Sequence, residues 1–281
     1  MTIALILFLV ASGLTLIFGV MRIINFAHGA LYMLGAYFAF TVADRFSDNT
    51  TGFIAALALA PIGGAVLGLA IERGLLRHIY NRPHLDQLLL TFALVLVLVD
   101  GARLVWGVEF KSVAMPDFIS GSVGIVGRSF PAYYFFVWGV ALSIGAGLWL
   151  LVFRTRTGML MRAIVQDEEM SAALGIDTQR LYSITFVIGA YLACLGGVLL
   201  APMRAIGVHL ATESIIQAFI IVIVGGLGSV GGALIGALLL GQFTAFGVLI
   251  TPRLAVIFPF VLMIVVLILR PYGLFGRREG Q

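Results

Sequence analysis

Long apolar runs, separated by short polar joints, occupy most of this chain. A helix needs about 20 residues to cross roughly 30 Å of hydrocarbon, and each run is close to that length or somewhat shorter. Helices are the structure such runs adopt, because lipid offers the backbone no hydrogen-bonding partners. The predicted spans are 2–21, 24–43, 52–71, 85–106, 132–153, 182–203, 214–228, 232–250 and 254–270. The seventh is short and the joint at 22–24 is tight, so the pattern predicts an all-α polytopic membrane protein with eight or nine transmembrane helices.

One polar insert, residues 154–181, interrupts the apolar pattern near its middle. Seven of the 26 residues from 155 to 180 are charged, whereas only 11% of the chain is. Within the insert, "QDEEMSAALG" predicts a short helix. Its first turn contains Asp167, Glu168 and Glu169, where carboxylates suit the positive end of the helix dipole. Gly175 is the expected left-handed terminator, and Asp177 or Thr178 is expected to cap the next span.

The short helix has two interpretations. Met170, Ala172, Ala173, Leu174 and Ile176 give it a small-sided apolar surface. That surface suits an amphipathic helix lying on lipid headgroups. It equally suits a projecting helix that enters a groove on a soluble partner, where the acidic first turn would set the orientation of the helix.

Composition agrees with a single membrane domain over residues 1–281. The chain is 61% hydrophobic with mean hydropathy +1.12, against about 45–50% apolar residues in soluble domains. Cys194 is the single cysteine, which excludes an internal disulfide, and the histidine spacing indicates no metal site. The net charge of +4 is explained by basic loops and does not indicate nucleic-acid binding.

The distribution of basic residues predicts the orientation. If the spans alternate and the insert is cytoplasmic, eleven Lys and Arg residues lie inside and six outside. The positive-inside rule then places the N-terminus outside and the C-terminus inside. The loop 107–131, rich in Gly, Ser and Pro, becomes an external loop able to cap the outer mouth.

Two polar or glycine-rich stretches are candidates for a substrate pathway. Asn25, His28 and Tyr32 have the spacing of one helix face. They either line the pathway or form interhelical hydrogen bonds that fix packing. Six glycines between 225 and 236 predict either close helix packing or a broken helix. In the second case Gly226, Gly228 and Ser229 would contact a zwitterionic ligand.

Other motifs limit the mechanism. The glycine-rich stretch has no following lysine in the phosphate-loop pattern, so ATP chemistry would have to come from another chain. No catalytic motif is present, and a Ser229–His28 dyad is the weak enzyme alternative. Asp100 and Arg103 are expected to pair. An ion-coupled secondary transporter, the alternative function, would need a carboxylate such as Asp100. The segments 61–70 and 229–238 share Gly-Gly-Ala-x-x-Gly on oppositely directed spans, which suggests an inverted-repeat permease core.

The insert resembles the coupling loop of ABC importer permeases, with Glu169, Ala172, Ala173 and Gly175 at matching positions. Four segments, 24–37, 155–169, 224–237 and 270–276, together resemble the branched-chain amino acid ABC transporter permease family. "INFAHGALYMLGAY" points to its shorter permease subunit type. Family members usually begin with a further apolar stretch before the position of Leu5, so a truncated or mis-assigned start is expected.

The resemblance implies a function and a set of partners. The chain would be a permease subunit, without a cofactor of its own, in the bacterial inner membrane. The expected partners are a second permease subunit, two cytoplasmic ATPase subunits and a periplasmic substrate-binding protein. The expected ATPase-coupling residues are Asp167, Glu168, Glu169, Ala172, Ala173, Leu174 and Gly175. The solute would be a branched-chain amino acid or a related small polar compound.

Overall fold

A computed structural model describes residues 1–80, 82–125 and 128–276. These residues contain eleven α-helices and one β-hairpin. The helices are α1 (Thr2–Met21), α2 (Ala27–Ala43), α3 (Asn49–Gly74), α4 (His84–Trp106), α5 (Ala132–Arg154), α6 (Arg156–Gln166), α7 (Glu168–Ala173), α8 (Thr178–Leu200), α9 (His209–Gly225), α10 (Val230–Ile250) and α11 (Phe258–Leu269); the hairpin pairs β1 (Ser122–Ile125) with β2 (Arg128–Pro131).

Nine of these helices correspond to the nine predicted spans. Six are long and apolar enough to cross a membrane, and α2, α9 and α11 are shorter apolar helices. The predicted polytopic membrane fold is therefore confirmed. The helices α6 and α7 belong to the polar insert. We call the side of the bundle on which they lie the insert face, and the other side the opposite face.

Several helix boundaries differ from the predicted ones for local reasons. Helix α1 ends at Met21 as predicted, where the left-handed Arg22 follows with a φ of 54°, but α2 does not start until Ala27 instead of residue 24. Helix α8 starts four residues early because the Asp177 side chain accepts a hydrogen bond from the Arg180 amide. Helix α9 ends at Gly225 rather than 228, because Gly226 has a φ of 101°.

The centre of the bundle is the pair α1 and α8, which run antiparallel and are largely buried. The start of α1 lies beside the start of α5, since Trp138 Nε1 donates to Thr2 Oγ1 at 3.0 Å. Its end reaches the insert, where Arg22 contacts Val165. Helix α2 approaches α8 so closely that a Cβ at Gly35 would lie 2.2 Å from the Cys194 carbonyl oxygen.

Two parts of the chain, α1–α3 and α8–α10, repeat the same packing in opposite directions. In the first, α3 packs on α2 and α8; in the second, α10 packs on α9 and α1. Helix α3 runs toward the insert face and α10 runs away from it. The shared Gly-Gly-Ala-x-x-Gly segments lie on these two helices, with Gly64 against Cys194 of α8 and Gly232 against Gly225 at the end of α9. This arrangement is the one expected of an inverted repeat.

The outer surface of the bundle is apolar, as a surface in contact with lipid must be. Leu89, Phe92, Leu96 and Val97 on α4 are all more than half exposed. On the opposite face, the loop 107–131 contains the hairpin, and Lys111 pairs through its backbone with Ile206. The loop therefore contacts the joint between α8 and α9.

Candidate functional site

Helix α7 begins at a side-chain cap. Asp167 is its N-cap residue, and its Oδ1 accepts a hydrogen bond from the Met170 amide at 2.9 Å. Glu168 and Glu169 follow in the first turn. A carboxylate at this position satisfies a backbone N–H that the helix leaves free and interacts favourably with the dipole. The predicted start of this helix is confirmed, with Asp167 as the cap rather than a first-turn residue.

Helix α7 ends in a Schellman motif. Gly175 has a φ of 85°, its amide donates to the Ala172 carbonyl at 3.0 Å, and the Ile176 amide donates to the Ser171 carbonyl at 3.1 Å. Glycine adopts this left-handed conformation without the Cβ clash of other residues. The predicted terminator is confirmed, and both ends of α7 are fixed by local interactions.

The outward surface of α7 is apolar and exposed. Met170 is 57% exposed and Leu174 is 75% exposed. Ala172 and Ala173 are exposed between them, and their small side chains permit close approach. The seven predicted coupling residues thus lie together on one projecting helix and its cap.

The insert contacts the end of α1 through Arg22. The Arg22 guanidinium donates to the Val165 carbonyl of α6 at 3.4 Å. Arg22 and the carboxylates of Asp167, Glu168 and Glu169 line one cavity of about 320 Å³. The acidic turn and the first inter-helix joint therefore face each other across a small gap.

A second connection from the insert involves Glu72, which was not among the predicted site residues. Glu72 is fully buried between α3 and α8. The Ser183 hydroxyl donates to its Oε2 at 2.6 Å, and the Tyr80 hydroxyl donates to its Oε1. The Tyr80 ring packs edge-on against Tyr182, with centroids 5.2 Å apart, and the Tyr182 hydroxyl lies close to Glu168 of α7. We call Glu72, Tyr80, Tyr182 and Ser183 the Glu72 cluster.

The Glu72 cluster is held by the loop that follows α3. Gln87 Nε2 lies 3.1–3.3 Å from the carbonyl oxygens of Ile79, Tyr80 and Arg82, and so fixes that loop. Burial and the adjacent Glu72 carboxylate raise the pKa of Tyr80 above its usual range, so its hydroxyl stays a donor. A buried carboxylate is costly unless it is hydrogen-bonded, and here two hydroxyls satisfy it.

The predicted pathway residue Asn25 is not on the α2 helix face. It lies in the joint 22–26, before α2 begins, so the expectation that it shares one face with His28 and Tyr32 is wrong. The helix predicted from residue 24 begins only at Ala27, so residues 24–26 do not follow its period of about 3.6 residues. Asn25 is fully buried, and neither its Oδ1 nor its Nδ2 has a hydrogen-bond partner among the described residues.

His28 and Tyr32 do lie on α2, as their spacing predicted. His28 Nε2 is 2.9 Å from the Val10 carbonyl oxygen, at the middle of α1, and the side chain is fully buried. Its Nδ1 has no partner within the described residues. Tyr32 packs against Gly196 of α8. These side chains therefore lie in the core of the bundle.

The glycine-rich stretch forms the turn between α9 and α10. Gly226 and Gly228 have φ values of 101° and 79°. Ser229 caps α10, its Oγ accepting from the Gly232 amide at 3.0 Å. A Cβ at Gly226 would lie 2.4 Å from the Gly276 amide nitrogen, so the backbones touch here. In this conformation, close backbone packing and positive φ angles explain why glycine occupies positions 226 and 228.

The two groups of predicted pathway residues lie against the same helix at different depths. His28 is near Gly13 of α1, and Gly228 is near Gly19. Six residues of helix separate these contacts by roughly 9 Å along the axis. Both groups therefore line α1 between the core and the insert face. Ser229 accepts a hydrogen bond from the Gly232 amide, and His28 contacts the Val10 carbonyl. The two side chains therefore do not form the Ser229–His28 dyad of the enzyme alternative.

Asp100 and Arg103 form the predicted ion pair, with Oδ1 and Nη1 2.8 Å apart. Their side chains are 65% and 48% exposed, on the outer surface of α4. An exposed, paired carboxylate has neither the burial nor the isolation of an ion-coupling site.

Comparisons with known proteins agree with this architecture. The model of the family described as "Branched-chain amino acid transport system / permease component" matches residues 1–267. The chain is 32% identical over 288 residues to the high-affinity branched-chain amino acid transport system permease protein LivH of Escherichia coli K12, covering 97% of this chain and 92% of that protein. It is 31% identical over 285 residues to BraD, the corresponding permease of Pseudomonas aeruginosa, with the same coverage.

A more distant relative is the probable branched-chain amino acid transport permease protein LivH of Methanocaldococcus jannaschii, 29% identical over 286 residues and covering 96% of this chain and 88% of that protein. No solved structure matches the chain significantly. The family match extends over nearly the whole bundle, including both inverted parts and the insert. The chain therefore belongs to the permease component family of branched-chain amino acid transport systems.

Proposed function

We propose that this chain is the membrane-spanning permease subunit of an ATP-driven importer, and that α7 is the element through which a cytoplasmic ATPase moves it. The observation that carries the proposal is the form of α7: a six-residue helix, fixed at both ends, with exposed Met170 and Leu174 at its tip. A rigid apolar projection of this kind fits a groove on a partner.

The proposed complex has two permease subunits, two cytoplasmic ATPase subunits and an external substrate-binding protein in the bacterial inner membrane. The names of the relatives support branched-chain amino acids as the cargo. A related small polar solute is the other candidate. The chain itself performs no catalysis in this proposal. Its contribution is a solute path whose two ends open alternately.

In the proposed cycle, nucleotide binding closes the ATPase pair and displaces α7. The displacement reaches α1 through Arg22 and reaches α3 and α8 through the Glu72 cluster. Because packed helices move as rigid bodies between discrete arrangements, a small shift at the insert can change which end of the path is open. Asn25, His28 and Tyr32, together with Gly226, Gly228 and Ser229, are the proposed path-lining residues.

The test is the double variant Glu169→Lys with Gly175→Pro. Lysine reverses a charge in the first turn of α7, and proline cannot adopt the positive φ at residue 175 or donate the hydrogen bond that closes the motif. We expect solute-stimulated ATP hydrolysis and ATP-dependent uptake to fall at least tenfold, with normal amounts of the chain in the membrane. The measurements are uptake into proteoliposomes and stimulated ATP hydrolysis.

Glu109→Lys is the matched control, because Glu109 is an exposed glutamate on the opposite face. A Leu174→Cys variant locates α7, since Cys194 is buried and gives little background with an impermeant thiol reagent. Labelling of residue 174 only from outside, or uptake in the double variant that follows an ion gradient, would refute the proposal.

A further inference from the structure

A basic cavity of about 570 Å³ opens between α3 and α8 at the insert face. Three arginines line it: Arg73 at the end of α3, Arg77 after it, and Arg180 in the first turn of α8. All three are exposed, and none forms an ion pair with a carboxylate in the part of the chain that the structure describes. We call this cavity the arginine pocket.

The polar groups beside these arginines leave the pocket positive. Arg77 donates a hydrogen bond to the Gln179 side chain. Asp177, the one carboxylate in the lining, is engaged as the N-cap of α8, where it accepts from the Arg180 amide at 2.9 Å. Three guanidinium groups and one carboxylate remain, which gives the pocket an excess of two positive charges.

The pocket continues into the apolar part of the bundle. Ile184, Val187 and Ile188 on α8 and Leu69 on α3 form its remaining walls, and all four are half-buried. From Arg180 to Ile188 the groove extends for roughly 12 Å along the helix axis. A ligand that fills it must therefore be anionic at one end and apolar along its length.

Few ligand classes have this form. A free anion would fill only the charged end. An acidic loop of a soluble partner would also stop at the arginines, because the apolar walls lie within the membrane-spanning part of α3 and α8. An anionic phospholipid fits both ends, since guanidinium groups bind phosphate oxygens in a forked geometry and acyl chains match the aliphatic walls. Basic pockets between transmembrane helices are suited to such headgroups.

We propose that the arginine pocket binds one anionic phospholipid of the leaflet at the insert face, with its phosphate at Arg73 and Arg180 and an acyl chain along Val187. The proposal does not depend on which solute is carried. It places the lipid beside the Glu72 cluster, because Ser183 lines the pocket and also donates to Glu72. A bound lipid would brace α3 against α8 where the insert connects to them.

The experiment uses the full chain, purified with its partner subunits in mild detergent and exposed to equal amounts of phosphatidylglycerol and phosphatidylcholine. Native mass spectrometry and lipid extraction then count the retained lipid. We expect preferential retention of phosphatidylglycerol, falling roughly fivefold for each arginine removed in the Arg73→Gln and Arg180→Gln variants. Arg77 is left in place to keep its bond to Gln179.

Two further variants keep the test decisive. Arg156→Gln is the control, because Arg156 is an exposed arginine on the same face, outside the pocket, and its loss should leave retention unchanged. Val187→Trp fills the groove without changing charge and should lower retention with all three arginines present. Inorganic phosphate should not displace the lipid.

Three outcomes would overturn the proposal. One is equal retention of the two lipids by the unaltered chain. Another is unchanged preference in the Arg73→Gln, Arg180→Gln double variant. The third is loss of the ATPase subunits from that double variant while lipid retention persists, which would assign the arginines to a protein partner.

Discussion

The two joints that follow the central helices differ in how well their polar groups are satisfied. The inner joint, residues 22–26, connects α1 to α2 at the insert face. The outer joint, residues 201–208, connects α8 to α9 on the opposite face. Each precedes a helix of 17 residues, α2 or α9, so the two joints occupy matching places in the inverted parts of the fold.

The outer joint is fixed from two directions. Arg204 forms a forked pair with Glu213 of α9, with N···O distances of 2.9 and 3.3 Å. Ile206 exchanges two backbone hydrogen bonds with Lys111 of the loop 107–131, at 2.8 and 3.0 Å. Any displacement of this joint would break bonds that are already formed.

The inner joint is held less completely. Arg22 reaches the insert with one contact of 3.4 Å and Thr91 Oγ1 donates to the Ile24 carbonyl at 3.2 Å, but buried Asn25 has no partner for either side-chain amide atom in the described part of the chain. An unsatisfied buried polar group raises the free energy of the conformation that contains it. A second arrangement that pairs Asn25 would gain stability. The comparison indicates that the inner joint, which faces the insert, is the one suited to change.

The largest effect is expected at Gly29, where the helices after the two joints meet. A Cβ at this position would lie 2.2 Å from the Ala211 carbonyl oxygen of α9 and 2.7 Å from Ile215 Cβ. Because a backbone atom cannot move aside as a side-chain end can, Gly29→Val should destabilise the fold by about 3 kcal/mol or more. Thermal unfolding in detergent measures this. Gly101→Val is the control, since a Cβ there meets nothing within 4 Å; equal melting temperatures for both variants would contradict the close contact.

An effect of opposite sign is expected at Asn25. Replacing it with leucine removes an unsatisfied amide at similar volume, so Asn25→Leu should stabilise this conformation by about 1–2 kcal/mol. If Asn25 is paired in the alternative arrangement, the same variant should slow uptake several-fold. Melting temperature and proteoliposome uptake together test the difference between the joints. A lower melting temperature would show that Asn25 is already paired.

The smallest effect is expected at the outer joint. The Arg204–Glu213 pair is more than a third exposed, so solvent screens it, and Glu213→Gln should cost only about 0.5 kcal/mol. This loss of folding free energy should be smaller still at high salt, because salt screens the charges. Glu109→Gln is the matched control, because Glu109 is 3.7 Å from Lys111 and its side chain is 83% exposed. A loss of several kcal/mol for Glu213→Gln would contradict the solvent screening of this pair.

Features fixed by neighbouring residues were predictable from the sequence, and features fixed by distant contacts were not. The cap at Asp177 and the terminator at Gly175 depend on hydrogen bonds within a few residues, and both were predicted correctly. The start of α7 was predicted as well, although Asp167 is its cap and not a first-turn residue. The spans followed from their length and apolarity. The placement of Asn25 on a helix face was wrong because α2 begins at Ala27 and not at residue 24, so Asn25 lies in the joint before the helix.

Glu72 illustrates the second kind of feature. In the sequence it stands at the end of a span, where a solvated carboxylate is the ordinary expectation. Its burial results from Ser183, which is 111 residues away, and from the fold of the loop after α3. The arginine pocket likewise requires α3 and α8 to be adjacent, which spacing along the chain does not indicate. The roles of the path-lining and coupling residues stay predictions for the experiments above.

The end of α9 has a consequence for how the protein is made. Its last carbonyl groups, those of Val224 and Gly225, accept hydrogen bonds at 2.9 and 3.0 Å from the amides of Leu274 and Phe275. Those donors are synthesised only after α10 and α11. While a ribosome is still extending the chain, the α9 terminus must rely on water or on insertion machinery for partners. The final closure of the bundle at this face is therefore a late event of biogenesis, and truncation before residue 274 should leave a membrane-inserted but incompletely sealed intermediate.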